Sequence, residues 1–318
     1  APSFLAANEE RIISSIWRAK TFGKDSEFDL LAVDAQKGEK IYEVPIQDPK
    51  YILQIVEAKI ANDGSNNVRL VGLYYDKNVN IYKAPSLGMF SCLVDNDGKF
   101  LDRKYISWAK DVRDHLSVDE KGKREDGGYP YFQKIIQTND GKTYAVVEEF
   151  RKGVSGLGIA SQMLSYNSNA GVIKIVIEDI LIYEFSPEFD LVDVHIVSDN
   201  KTNIQLPEGM GAWNGTHKLG GFLERLGYFN YNFTQMRDGG DNFTIGFHSM
   251  EKVGKKKQWF YGLTSIQDGE LKEDKIKDDN DRDGIITRIM PAKPGYILIK
   301  EYSKSKKTIE VRLEKINF

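Results

Sequence analysis

The sequence predicts an all-β protein, a single irregular five- or six-bladed β-propeller-like domain. Three observations predict it. First, a strand cassette recurs. Residues 184–196 (EFSPEFDLVDVHI) and 301–313 (EYSKSKKTIEVRL) align without a gap, and each follows an apolar run, Ile180–Tyr183 and Tyr296–Ile299. Repetition of a β unit implies a radial or stacked architecture. Second, turns built on Asp and Gly recur between β-rich runs, where the backbone needs positive φ. Third, the 318 residues include 16 Tyr, 16 Phe and 4 Trp, a usage that favours strands. The alternative is a pair of β-sandwich-like domains split near residue 125.

The elements follow in order. Glu9–Lys20 is mildly amphipathic and reads as a short helix. Phe28–Val33 and Lys40–Val44 flank the turn Asp34–Gly38. Met89–Val94 and Phe100–Ile106 flank Asp95–Gly98. Phe132–Gln137 and Thr143–Val147 flank Asn139–Gly141, and Phe260–Ile266 and Leu271–Ile276 flank Asp268-Gly269. Trp108–Glu120 carries a helical turn or two. Leu219–Leu226 reads as a helix stopped by Gly227. The polar stretches 114–128 and 198–218 read as long surface loops. Grouped, the strands make five approximate units: 10–48, 51–108, 129–198, 228–277 and 285–318. Near-continuous apolar strands are those buried on both faces. The expected gradient therefore runs from a buried innermost strand to an exposed outermost one.

Composition excludes several classes. Hydrophobic residues at 41% and charged residues at 29% are ordinary for a folded chain. A net charge of -3 provides no global basic field for nucleic acid. Cys92 is the single cysteine, so no intrachain disulfide forms, and no Cys/His zinc spacing exists. Its strand context makes it a small buried hydrophobe. No run of 18 apolar residues appears, so no transmembrane helix is expected. The chain begins at Ala1 rather than Met, and removal of a leader, with export, is the expectation.

The sharpest chemical motif is D-x-D-x-D-G at Asp279, Asp281, Asp283 and Gly284. Alternate carboxylates in a tight loop converge on a hard cation such as Ca2+. The Ile285 carbonyl and Thr287, at the ninth position, complete the set. Met290 stands where an EF-hand has its glutamate. Trp213, inside the polar stretch 198–218, is the best exposed aromatic contact. The glycines of residues 153–158 superficially match a dinucleotide fingerprint, but Ser161 stands at the third glycine position and no βαβ order surrounds them. Glu149, Glu178, Asp179, Glu184 and Glu301 end apolar strands and are the acids available for glycoside chemistry. Glu149-Phe150, Glu184-Phe185 and Glu301-Tyr302 repeat one acid–aromatic step, and a residue that recurs in each unit reads as structural. His115, His195, His217 and His248 form no triad signature. Lys255–Lys257 and Lys304–Lys307 are solvated hairpin tips.

Residues 141–149 (GKTYAVVEE), 178–185 (EDILIYEF), 292–302 (AKPGYILIKEY) and 312–317 (RLEKIN) resemble a family of secreted proteins from Bacteroidetes with no assigned activity. The resemblance covers the C-terminal two-thirds. It implies export to the periplasm or cell surface and carries no catalytic residue. The expected function is a secreted or periplasmic, non-enzymatic binding or scaffold protein for a protein or glycan. The alternative is a carbohydrate-active hydrolase on the same fold.

Overall fold

Aspartate side chains and left-handed glycines set the turns. Asp34 Oδ1 accepts the backbone N–H groups of Gln36 and Lys37 at 2.9 and 2.8 Å, and Asp95 Oδ1 accepts those of Asp97 and Lys99 at 3.0 and 2.8 Å. Such Asx bonds satisfy donors that the strands leave behind. Gly38, Gly98, Gly141 and Gly269 follow at φ between 72° and 88°, a region that costs other residues strain.

The computed structural model describes residues 2–19, 25–61, 63–154, 173–197, 201–205, 216–237, 240–253, 256–267, 269–278 and 284–317. These strands form five antiparallel sheets, each built up and down in chain order. The first holds β1 (Pro2–Ala7), β2 (Arg11–Arg18), β3 (Glu27–Asp34) and β4 (Lys40–Pro45). The second holds β5 (Tyr51–Ile60), β6 (Val68–Asp76), β7 (Gly88–Val94) and β8 (Phe100–Ser107). The third holds β9 (Tyr129–Gln137), β10 (Thr143–Val154), β11 (Ile173–Phe185) and β12 (Leu191–Val197), with β13 (Thr202–Gln205) also paired to β11. The fourth holds β14 (Tyr231–Arg237), β15 (Asn242–Val253), β16 (Lys256–Gln267) and β17 (Glu270–Lys277). The fifth has three strands: β18 (Ile285–Pro291), β19 (Tyr296–Ser303) and β20 (Thr308–Lys315). One helix, α1 (Thr216–Arg225), and a π turn at Trp108–Val112 are the helical elements among the described residues.

First strands lie next to one another: β1 against β5, β5 against β9, and β14 against β18. A cavity of about 340 Å³ opens between three of them, lined by Glu57 of β5, Lys134 of β9 and Thr234 of β14. Lys134 pairs with Glu57 there. Apolar cores fill the spaces between successive sheets. Ile13, Leu30, Leu53 and Phe90 join the first to the second. Tyr144, Ile182, Phe243 and Ile245 join the third to the fourth, and Tyr261, Leu263, Ile297 and Ile299 join the fourth to the fifth. This is a propeller-like arrangement of separate sheets.

Two expectations need correction. Residues 11–18 are a strand, not part of a helix. Arg11, Ile13 and Ser15 are buried while Ile12, Ser14 and Ile16 between and beside them are not, a period of two, and all eight residues pair with β3. Three isoleucines and the cross-strand partner override a weak helical moment. The gradient of burial is also different. The second and third strands are the buried ones, as in β6, β7 and the middle of β10 and β11. First strands alternate, as in β5, because one side borders the axial cavity.

The repeated cassette folds as two hairpins of one register. Glu184 faces Asp193 and Leu181 faces Ile196; at the aligned positions Glu301 faces Glu310 and Leu298 faces Leu313. The match ends next to the turn, where a bulge shifts β11 against β12.

Candidate functional site

Chain order separates the connections into two rims. In a sheet built up and down, links between first and second strands and between third and fourth share one end. Links between second and third strands, and between successive sheets, share the other. On the first rim the longest link is 61–67. On the second lie residues 77–87 and 108–128, and α1. Long connections on a rigid scaffold are where binding groups concentrate.

Two polar constellations sit toward this second rim. The first lies between the fourth and fifth sheets. His248 of β15 stacks between Trp259 and Tyr261 of β16, with centroids 4.7 and 5.2 Å away. The register explains this: His248 faces Tyr261, and Trp259 lies two residues along on the same face. The Tyr261 hydroxyl donates to Asp278 Oδ2 at 2.9 Å, and His248 Nε2 lies 3.7 Å from the same oxygen. Thr287 also reaches the Tyr261 phenol, whose pKa burial pushes up. Glu301 of β19 faces Thr287 across the ladder and takes Arg312 Nη1 at 2.5 Å. Tyr261 and Asp278 are buried beneath this wall, and its reachable part is the half-buried Trp259, His248, Thr287 and Glu301, aromatic faces beside a hydroxyl and a carboxylate.

The second constellation sits at a bulge in the third sheet, where Glu149 stands opposite Glu178 and Asp179. Arg124 folds onto it from the long connection. Its guanidinium bonds Glu149 Oε2 at 2.9 Å through Nε and also bonds Asp179. Burial pushes the Glu149 carboxyl up to about 7, more than Arg124 pulls it down. Arg151 and Lys201 pair with Glu178. Glu148 accepts the backbone N–H groups of Asn230 and Tyr231 at 2.7 and 3.1 Å, anchoring the chain after α1. Leu219 and Leu223 of α1 pack on Phe150, Ile175 and Ile177.

The sequence-predicted residues fall unevenly on this geometry. Asp279, Asp281 and Asp283 lie outside the described residues, as do Trp213 and residues 155–172. Ile285 and Thr287 begin β18. The ends of the acidic loop are tied: Asp278 N donates to Trp259 O at 2.9 Å and Lys304 N to Gly284 O at 2.8 Å. Glu184 and Glu301 occupy matching hairpin positions, with Lys142 Nζ 2.9 Å and His195 Nε2 3.2 Å from Glu184. Glu149 does not share that position: it sits in a bulge of β10 opposite Glu178 and Asp179, so the acid–aromatic step is one device used twice, not three times. Cys92 is buried, and burial pushes its thiol pKa up. Two features escaped sequence reasoning, a buried arginine and a half-buried histidine. Arg124 lies in a stretch read as surface loop, and a Lys-Arg-Glu-Asp run carries no signal of burial. His248 is isolated in sequence, and only strand register brings it between two aromatics.

Fold and site together define an all-β, propeller-like protein with its elaborated connections on one rim. The chain belongs to the family of unknown function DUF6770, whose model matches residues 1–317. No curated protein matches the sequence. Among solved structures, the β-propeller domain of the trilobed protease from Pyrococcus furiosus is similar at 9% identity and a TM-score of 0.41, over 99% of this chain and 68% of that one. An acylaminoacyl peptidase from Pyrococcus horikoshii is similar at 9% identity and a TM-score of 0.40, over 99% of this chain and 39% of that one. An α-L-arabinofuranosidase from Fusarium graminearum is similar at 11% identity and a TM-score of 0.38, over 99% of this chain and 76% of that one. Neither the fold nor the chemistry described above rests on these similarities.

Proposed function

We propose that this is a secreted or periplasmic, non-enzymatic binding protein, and that its ligand is a glycan held at the wall between the fourth and fifth sheets. The observation that carries the reading is the half-buried Trp259 and His248 beside Thr287 and Glu301, seated on the buried Tyr261–Asp278 pair. Ring faces pack against the C–H face of a sugar, and the polar groups around them take its hydroxyls. The resemblance to exported Bacteroidetes proteins supports the location. The neighbouring loop at Asp279, Asp281 and Asp283, with Ile285 and Thr287, is proposed as a calcium site that stiffens the edge of this wall.

One observation favours the hydrolase as a second reading. A carboxyl raised to about 7 beside another carboxylate, as Glu149 is beside Asp179, is how glycosidases set an acid against a base. Against it, Glu149 is only 1% exposed, and a Cβ at Gly127 would stand 2.4 Å from its Oε2. A carboxyl sealed under backbone does not reach a glycosidic oxygen.

Affinity electrophoresis through gels containing a panel of polysaccharides tests the binding reading. At least one polymer should retard the protein. Trp259→Ala should abolish that retardation, whereas Lys37→Ala, on the opposite rim, should keep it. No retardation anywhere, or equal retardation of both variants, overturns the glycan assignment.

A further inference from the structure

The two terminal sheets each leave one face bare. Opposite residues of an antiparallel ladder share a face. In the fifth sheet Ile286, Tyr302 and Ile309 therefore point the same way, as do Arg288, Lys300 and Val311. The other face, through Ile289, Ile297 and Ile299, is the one that packs on the fourth sheet. On the bare face Ile309 is 57% exposed and Val311 55%, with Ile286 and Leu313 close behind. In the first sheet Ile13, Leu30 and Ala32 pack on the second sheet. Its opposite face presents Phe4 at 68% exposure and Ile12 at 37%. Contiguous apolar sheet faces of this kind mark interaction surfaces.

We propose that a second copy of this chain covers both faces at once, the fifth sheet of each copy packing on the first sheet of the other. Three observations select this occupant. Within one chain the two faces stay exposed together, and no core cluster among the described residues joins the first sheet to the fifth. The charges match across the pair. The bare face of the fifth sheet carries Arg288, Lys300 and Lys315 and no carboxylate on its described strand positions. On the corresponding face of the first, Arg18 pairs with the buried Asp29 and with Glu43, and Lys40 pairs with Glu43, which with the exposed Glu27 leaves one net negative charge. Packing two fifth sheets together would instead oppose like charges. The arrangement also continues an existing interface. The four junctions from first to fifth sheet all bury one sheet face on the next, and the reciprocal pair adds two more of the same kind. Such an isologous contact closes on itself and leaves no open end.

Sedimentation velocity over a concentration series tests the full chain. A concentration-dependent dimer is expected. Val311→Glu, which sets a negative charge against the acidic first sheet, should raise its dissociation constant at least tenfold, while Leu101→Glu, similarly exposed on β8, should leave it unchanged. Carbodiimide cross-linking of the wild type needs no substitution. Links from Lys300 to Glu27 or Glu43 should appear in the dimer band. A chain that stays monomeric overturns the proposal. So does a dimer insensitive to Val311→Glu, or those same links appearing only in the monomer band, which would mean that one chain closes on itself.

Discussion

Replacing Glu149 by Gln should remove a pH dependence of stability that the wild type carries near neutrality. Glu149 is sealed at the bulge of the third sheet with Arg124 and Asp179. Its carboxyl ionises at about 7 in the folded protein, against an ordinary value of 4.5, because burial penalises the charged form. A carboxyl whose folded pKa is raised contributes fully to stability below the unfolded pKa. That contribution is lost as pH rises through the folded pKa, because the unfolded chain then releases the proton more readily. The difference between 4.5 and 7 is worth about 3 kcal/mol at roughly 1.4 kcal/mol per pH unit. Asp34, Asp48 and Asp63 have lowered values, so their opposing slope lies in the more acid range, below the unfolded carboxylate pKa. Urea unfolding at pH 5 and at pH 8 measures both proteins. The stability difference, wild type minus Glu149→Gln, should fall by about 2.5 kcal/mol between the two pH values, part of the loss lying below pH 5, with unchanged m. A difference that stays constant to within about 0.5 kcal/mol would refute the assignment of a buried, neutral-range carboxyl.

Three further predictions rest on other parts of the molecule. Gly88→Ala should cost ~3 kcal/mol or more in urea unfolding, since a Cβ there would lie 1.9 Å from Ile106 O, while Gly221→Ala in α1, where a Cβ meets nothing, should gain about 0.5–1 kcal/mol. Cys92, buried and with its thiol pKa raised, should react with a thiol reagent only at the rate of unfolding, so labelling in native buffer should be slow and labelling in urea fast. If the Asp279–Asp283 loop holds calcium, millimolar Ca2+ should raise Tm by scanning calorimetry and Asp281→Ala should lose that rise, because the ion binds only the native loop.

How far the sequence spoke can be judged residue by residue. The Asp-Gly turns and the register of the repeated hairpin were legible because each depends on a few neighbouring residues. A glycine at positive φ and an alternating strand announce themselves locally. Residues 11–18 misled because a short apolar pattern fits a helix face and a strand face equally well, and only β3 decided between them. The order of burial within a sheet was illegible for a different reason. It depends on what covers each strand, and that is a property of neighbouring sheets. The site was least legible of all. Arg124 meets Glu149 across 25 positions and Asp179 across 55. His248 finds its stack through a hairpin register, with no spacing that marks it in advance. The acids that stood out by recurrence, Glu184 and Glu301, turned out to be locally paired with Lys142 and Arg312.

The central claim is that this protein binds without turning its ligand over. Incubating the wild type with any polysaccharide that retards it, and then assaying new reducing ends and unsaturated products, tests that claim directly. The account predicts an intact polymer and no product above the level of a Trp259→Ala control. Release of oligosaccharides that depends on Glu149 or Glu301 would contradict it and put the hydrolase in its place.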